Sequence, residues 1–162
     1  MVFGRVPKLG AIIILVIILA VKTEAHNNLR YVNERYGFQM SYPAFLISAP
    51  NPANGDGIRM YDKKGFVLVA SGINNESEIT FQNELQTQWE SIGTINYGVR
   101  GSNWFTISGV KENKIIYIKS YIGTGAINHL YIEYPKEQMD RYDKIVEAIS
   151  KSFTPRDLSK NH

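Results

Sequence analysis

The small number of histidines limits the acid–base chemistry that this sequence can perform. Only His129 lies within a predicted strand, so a catalytic triad would have to use it, with Ser120 or Ser108 as the nucleophile and Glu133 as the acid. Glu133 follows four residues later on the same strand, about 13 Å away by the rise of a β-strand, which is too far to orient the imidazole. We therefore interpret His129 as a partly exposed strand residue stacked near Tyr121. The sequence contains three histidines: His26, His129 and His162.

Metal and cofactor chemistry has little support in the residue types. Because the chain has no cysteine, metal ligands beyond histidine would be carboxylate and amide oxygens. The run Asn54-Gly55-Asp56-Gly57 offers such oxygens, but it lacks the spaced acids and closing glutamate of an EF-hand loop. Gly and Asn tolerate the positive φ of tight turns, so we interpret this run as a turn. The sequence has no glycine-rich phosphate loop and no nucleophile elbow, and we predict no metal, cofactor or enzymatic activity.

Aromatic side chains are the remaining candidates for a binding surface, because Tyr and Trp dominate interaction hot spots. The stretch 104–134 predicts three antiparallel strands with turns at 111–113 and 123–125. Pairing Ile118 with Ile132 gathers the aliphatic side chains on one face of the sheet; the same register places Ile116 opposite Tyr134 and Ser120 opposite Leu130. The opposite face, which we call the tyrosine face, would then carry Tyr117, Lys119, Tyr121, His129, Tyr131 and Glu133, with Trp104 at the head of its first strand.

Two helices are predicted to pack on this sheet. Apolar residues spaced by three and four predict a first helix over 78–92, with Ser77 as N-cap and Gly93 as the stop. The same spacing predicts a second helix from Glu137 to Phe153, which would receive the aliphatic face. The first helix would either bury the tyrosine face or leave it open to a partner. Burial would use the apolar stripe Phe81, Leu85 and Trp89.

Earlier parts of the chain predict further strands and one long loop. Residues 58–61 and 66–71 flank Asp62-Lys63-Lys64-Gly65, which is typical of a hairpin. Residues 94–100 predict another strand. Residues 26–30 are polar and expected to be frayed, and the proline-containing segment 44–57 predicts an irregular loop.

Residues 1–25 predict a secretory signal peptide cleaved after Ala25. A short basic segment precedes an apolar run over 9–21, about 13 residues long, whereas a membrane-spanning helix needs roughly 20. The alternative is an uncleaved membrane anchor, which the charged Lys22 and Glu24 favour. We predict an exported protein located in the periplasm.

The length of the mature chain is enough for one domain and too short for two. Without residues 1–25 it has 137 residues, predicted to form a single domain over 26–155 and a tail over 156–162. The mature chain keeps 15 basic and 14 acidic side chains, and this near-neutral balance excludes the electrostatic footprint of a nucleic-acid-binding protein. With no cysteine, the domain must be stabilised by its core rather than by disulfides.

The order of elements resembles the PsbP/Mog-like family over most of residues 31–153. The resemblance implies an α+β fold in which an antiparallel β-sheet is sandwiched between helices. It also implies a group of mostly non-enzymatic binding or assembly factors, among them an extrinsic photosystem subunit and a nuclear Ran-binding protein. No site residue of the family has a counterpart that could be carried over. The residues that carry the resemblance are Tyr36-Gly37-Phe38, Tyr42-Pro43, Asp56-Gly57, Ile107-Ser108-Gly109, Tyr134-Pro135 and the helix 142–153.

Two classes of function follow from these observations. The first is an exported binding or assembly factor that acts on another protein of the bacterial envelope through a sheet edge, the proline loop or the tyrosine face. A narrower form of it is a periplasmic immunity protein that blocks a toxin. The second class is a small-ligand-binding protein or hydrolase that uses His129 and neighbouring tyrosines. A deep pocket lined by His129, Tyr121 and Glu133 would favour the second class, and a helix lying over them would contradict it.

Overall fold

A computed structural model of the chain describes residues 27–162. The predicted signal peptide, residues 1–25, and its cleavage site after Ala25 lie outside the described residues. Within residues 27–162, neither helix has the length and apolar character needed to cross a bilayer.

The described chain forms two antiparallel sheets and two α-helices. Strands β1 and β2 pair with each other, and the other seven strands form one large sheet in the order β3-β4-β5-β9-β8-β7-β6. A single 3₁₀ turn over Lys136–Gln138 leads into the last helix. The elements are β1 (Asn28–Val32), β2 (Gln39–Pro43), β3 (Ile47–Ser48), β4 (Gly57–Tyr61), β5 (Val67–Asn74), α1 (Phe81–Ser91), β6 (Thr94–Arg100), β7 (Trp104–Lys111), β8 (Lys114–Ile122), β9 (Ala126–Pro135) and α2 (Met139–Ser152).

The large sheet buries apolar side chains on both faces. One buried cluster joins Leu130 of β9 to Val146 of α2, and we call this side the α2 face. A second cluster contains Ile118 of β8, and Leu85 of α1 packs against it; we call this side the α1 face. Burying one such aliphatic side chain contributes about 1.5–3 kcal/mol, so the two clusters hold the two helices to opposite sides.

The predicted sandwich is only partly present. Helix α2 and strand β2 pack together over the α2 face, whereas α1 contacts the sheet mainly at β7 and β8. The side chains of Val67, Val69 and Tyr131, which share the α1 face, remain partly exposed. The structure is therefore a large antiparallel sheet with two helices, one of which covers only part of its face.

Helix α1 begins three residues later than predicted. Its N-cap is Thr80, whose side chain accepts a hydrogen bond from Asn83 N at 3.2 Å, and not Ser77. The reason lies in Asn75, whose amide bonds both the N–H and the C=O of Ile79 and holds the preceding turn out of helical geometry. The predicted second helix is confirmed as α2, with Asp140 in its first turn and Lys151 in its last, which complements the helix dipole.

The remaining strand predictions are mostly confirmed. The β4–β5 hairpin closes through Asp62, whose Oδ1 accepts hydrogen bonds from Lys64 N and Phe66 N, and through Gly65 at a φ of +93°. Residues 28–32, expected in part to be frayed, pair with β2, and the segment predicted as a loop contains the short strand β3.

Residues 156–162, predicted as a tail, pack across the turn between β8 and β9. The backbone N–H groups of Gly125 and Ala126 donate to Leu158 O at 2.9 and 3.1 Å, and the Leu158 side chain is buried. Further on, His162 N donates to Asn74 Oδ1 at 2.8 Å. This segment therefore joins the turn to the end of β5.

Candidate functional site

The pairing of β8 with β9 decides which predicted site residues share a face. Ile118 lies opposite Tyr131 and not opposite Ile132, so the predicted register is wrong by one residue. A slip of one residue moves every side chain of a strand to the other face relative to its partner. The tyrosine face is therefore not one surface. Tyr117, Lys119 and Tyr121 lie on the α2 face, and His129, Tyr131 and Glu133 lie on the α1 face.

Lys119 is enclosed at the C-terminal end of α2. Its Nζ donates to Ser150 O at 2.8 Å and to Phe153 O at 3.4 Å. The same ammonium lies 5.7 Å from the ring centroid of Trp104 and 5.1 Å from that of Tyr121. Burial lowers the pKa of Lys119. A cation at this position complements the helix dipole and the aromatic rings. Lys119, Trp104 and Tyr121, which were predicted to bind a partner, therefore stabilise the end of α2.

Tyr117 also supports α2, and it lines the open groove between α2 and β6. Its hydroxyl lies 2.5 Å from Ser150 Oγ, and burial raises its pKa. The terminal helix was expected to rest on Ile116 and Ile118, but those side chains belong to the opposite cluster under α1. This expectation was wrong because it depended on the predicted register.

On the α1 face, His129 is joined to α1 by a carboxylate that the sequence did not single out. His129 Nδ1 lies 3.0 Å from Ser120 Oγ and 3.5 Å from Glu84 Oε1. Gln88 Nε2 donates to the same Glu84 oxygen at 2.8 Å. Burial lowers the pKa of His129, and the Glu84 carboxylate opposes this shift. Glu84 thus takes the place beside the imidazole that was considered for Glu133.

This arrangement lacks the geometry of a catalytic triad. In a triad the serine and the acid bind opposite ring nitrogens, so that the imidazole can pass a proton between them. Here Ser120 and Glu84 both approach Nδ1, and Ser120 is fully buried. The Ser120–His129–Glu84 cluster connects α1 to the sheet and offers no exposed nucleophile.

Glu133 and Tyr131 form a separate polar group near the end of β9. The Tyr131 hydroxyl donates to Glu133 Oε2 at 2.7 Å, and Lys114 Nζ lies 2.9 Å from Glu133 Oε1. Burial alone would raise the pKa of Glu133, but the hydrogen bonds from Lys114 and Tyr131 outweigh it and leave that pKa below its usual value. Burial and the bond to Glu133 raise the pKa of Tyr131.

Metal ligands do not converge in the part of the chain that the structure describes. There, no three His, Asp or Glu side chains lie close enough together to hold an ion. In the turn around Asn54-Gly55-Asp56-Gly57, Asp56 Oδ1 pairs with Arg35 Nη1 at 2.7 Å and Gly55 has a φ of +69°. The segment therefore has the turn geometry that its residue types predict.

Two open grooves flank β6, the strand at one edge of the large sheet. On the α1 face a groove with a volume of about 490 Å³ lies between α1 and β6; it is lined by Leu85, Trp89, Ile95, Phe105 and Ile107, among others. On the α2 face a groove of about 690 Å³ lies between α2 and β6; it is lined by Tyr97, Val110, Ile115, Lys136, Met139, Asp143 and Glu147, among others. Neither groove is lined by His129, Tyr121 or Glu133.

Apolar side chains remain exposed around this edge. Trp89 is 49% exposed, although it was expected to pack on the sheet with Phe81 and Leu85. Tyr97 and Val99 of β6 are 54% and 41% exposed. We call this surface, β6 with the two grooves beside it, the β6 edge.

Sequence reasoning predicted strand β6 but missed the β6 edge as a surface. The position of a strand within a sheet depends on strand order, which periodicity does not report. Glu84 left a signal that could have been used, since a carboxylate between Phe81 and Leu85 interrupts the apolar stripe of α1.

Comparison with known proteins supports the architecture. The solution structure of cyanobacterial PsbP (CyanoP) from Synechocystis sp. PCC 6803 matches with a TM-score of 0.63 at 11% sequence identity, covering 83% of this chain and 96% of that chain. The chain has a PsbP-like fold. The predicted resemblance is thus confirmed at the level of the PsbP-like fold. No model of a protein family matches this sequence, and neither does the sequence of any curated protein.

Proposed function

We propose that the mature chain is an exported, non-catalytic binding or assembly factor that holds another protein of the bacterial envelope at the β6 edge. The resemblance to PsbP-like proteins supports a binding role, since that group consists mostly of non-enzymatic factors. The observation that carries the proposal is a long exposed edge strand with an open groove on each side.

The two edges of the large sheet differ in how well they are protected. At one edge, β3 has only two residues, whereas β6 at the other edge has seven. An edge strand presents unpaired backbone N–H and C=O groups, and natural proteins usually shorten, charge or cover such strands. Apart from one irregularity between Ile95 and Tyr97 and the terminal Arg100, β6 has none of these protections. An unprotected edge of this length is suited to pairing with a partner.

Side chains around β6 supply the apolar contacts that such pairing needs. Trp89 and Tyr97 are of the types that dominate interaction hot spots, and both are about half exposed. Val99 and Met139 add exposed aliphatic surface at 41% and 38%. Partner binding here would combine main-chain hydrogen bonds with burial of these side chains.

Site-specific cross-linking in producing cells tests the proposal. The chain has no cysteine, so Val99→Cys creates a unique attachment point for a thiol-linked photo-cross-linker on the β6 edge. Lys63→Cys, in the exposed β4–β5 turn, is the matched control. We expect a discrete adduct from Val99→Cys that excess unlabelled wild-type protein competes away and that Lys63→Cys does not give. Identical adducts at both positions, or none at Val99→Cys, would overturn the proposal.

A further inference from the structure

A strand that adds to β6 would send alternate side chains into the two grooves, because successive residues of a strand point to opposite faces. Within β6, Tyr97 and Val99 lie opposite Ser108 and Thr106 on the α2 face, and Gly98 lies opposite Ile107 on the α1 face. The irregularity between Ile95 and Tyr97 interrupts this alternation. Residues 97–100 are therefore the part of the edge that can guide an added strand.

On the α1 face, Gly98 leaves room for an apolar side chain of the partner. A Cβ at this position would meet Ile107 Cγ2 at 3.8 Å and Trp89 Cζ3 at 3.9 Å, which are ordinary van der Waals distances. Because Gly98 has no side chain, the exposed ring of Trp89 is uncovered beside it, above the buried Ile107. An apolar residue opposite Gly98 would fill this space, since directly opposed side chains on one face pack together.

On the α2 face, the groove beside Tyr97 carries an acidic wall. Asp143 and Glu147 line it, against the single cation Lys136. Asp143 Oδ1 accepts a hydrogen bond from the Tyr134 hydroxyl at 2.7 Å, and Glu147 pairs with Lys151 at 2.6 Å. The Glu147–Lys151 pair is exposed, and exposed ion pairs are weak. Basic side chains of a partner would therefore complement this wall.

Building on the proposed function, we propose that the partner contributes an extended segment that pairs with β6, placing an apolar side chain opposite Gly98 and a basic side chain opposite Tyr97, beside the acidic wall. The occupant is thus a peptide strand in which apolar and Lys or Arg residues alternate. Apolar contact with Trp89 provides affinity, and the negative charge of Asp143 and Glu147 favours basic over acidic side chains at the alternate positions.

Two synthetic peptides of alternating residues test this inference, one of Val and Lys and one of Val and Glu. Binding is followed by the fluorescence of Trp89 in a Trp104→Phe background, where Trp89 is the only tryptophan. We expect the Val/Lys peptide to bind about tenfold or more tightly than the Val/Glu peptide. The difference should shrink at high salt, because screening weakens exposed charge pairs.

Two variants test separately the gap at Gly98 and the acidic wall formed by Asp143 and Glu147. Gly98→Val fills the gap with the protein's own side chain and should weaken Val/Lys binding about tenfold. Asp143→Asn with Glu147→Gln should bring the two peptides to similar affinities while Gly98→Val alone keeps the preference for Lys. Equal binding of both peptides by the wild type, or unchanged binding by Gly98→Val, would overturn the inference. Failure of both peptides to bind would overturn strand addition even where Val99→Cys still cross-links a partner, so the two proposals fail separately.

Discussion

Glu84 of α1 reaches across to His129 of β9, with Oε1 3.5 Å from Nδ1. Both side chains are largely buried, and the pair is one of the polar contacts that join α1 to the sheet, together with the bond from Lys111 Nζ to Ser91 O at 2.9 Å. The charge state of this pair therefore influences how firmly the helix that carries Trp89 is held.

We expect the free energy of unfolding to fall as the pH drops below about 6.5, the usual pKa of an unfolded histidine. Burial lowers the pKa of His129 in the folded protein, so the unfolded chain binds more protons between that lowered pKa and 6.5. The contribution of His129 is thus fully present above the unfolded pKa and is lost as the pH falls through the folded one. Urea denaturation at pH 8 and pH 5 measures the change.

The matched variant His129→Gln removes this titration and keeps a polar side chain beside Ser120. The loss of stability between pH 8 and pH 5 should be smaller in His129→Gln than in the wild type, since the buried imidazole that takes up a proton on unfolding is then absent. An equal loss in both proteins would show that His129 keeps an ordinary pKa.

Lys119→Met should lower the free energy of unfolding by about 1–3 kcal/mol, the cost of leaving buried carbonyl groups without a donor. The variant removes the ammonium that bonds Ser150 O and Phe153 O at the end of α2. Lys151→Met is the control, because the Lys151 ammonium is exposed and bonds Glu147 on the same helix. Thermal and urea denaturation should show a larger loss of stability in Lys119→Met than in Lys151→Met. A loss as large in Lys151→Met would contradict the specific role of Lys119.

Asn128→Leu should raise the free energy of unfolding by about 1–3 kcal/mol, because it replaces an unpaired buried amide with an apolar side chain of similar size. Asn128 is fully buried, and neither its Oδ1 nor its Nδ2 has a hydrogen-bond partner among the described residues. Asn75→Leu provides the contrast, since the Asn75 amide bonds Ile79 and Gly123. We expect Asn75→Leu to destabilise the protein. Destabilisation by both variants would show that the Asn128 amide is paired in solution.

Export with cleavage after Ala25 predicts a mature protein that starts at His26. Intact-mass measurement of protein purified from the periplasmic fraction gives the first residue directly. A membrane-bound protein with the full-length mass would support the uncleaved anchor that Lys22 and Glu24 favour.

The sequence predicts the elements better than their pairing. Hairpin β4–β5 and helix α2 follow from turn residues and from apolar spacing, both of which are local signals. The β8–β9 register does not, because Ile115 and Ile116 are both buried although they point to opposite faces. When both faces of a strand are buried, alternation no longer identifies the inner face, and a pairing shifted by one residue groups the aliphatic side chains equally well.

The candidate site depends on the same non-local information. His129 was singled out correctly as the one histidine within a predicted strand, but its partner Glu84 lies 45 positions earlier in the sequence and meets it only through the packing of α1. The β6 edge likewise depends on which strand ends the sheet. The interrupted apolar stripe of α1 marks Glu84 but not its partner His129, and no periodic pattern marks the strand that ends the sheet.

The two-residue strand β3 also limits how this protein can assemble with itself. Head-to-tail growth into a filament would require the β6 edge of one molecule to pair with the opposite sheet edge of the next. That edge offers the two-residue β3 and the short end of β4 beyond it, too short a ladder to continue the sheet. A molecule whose β6 is occupied has no second long edge in its large sheet, so pairing ends after one addition and open-ended polymerisation stops there.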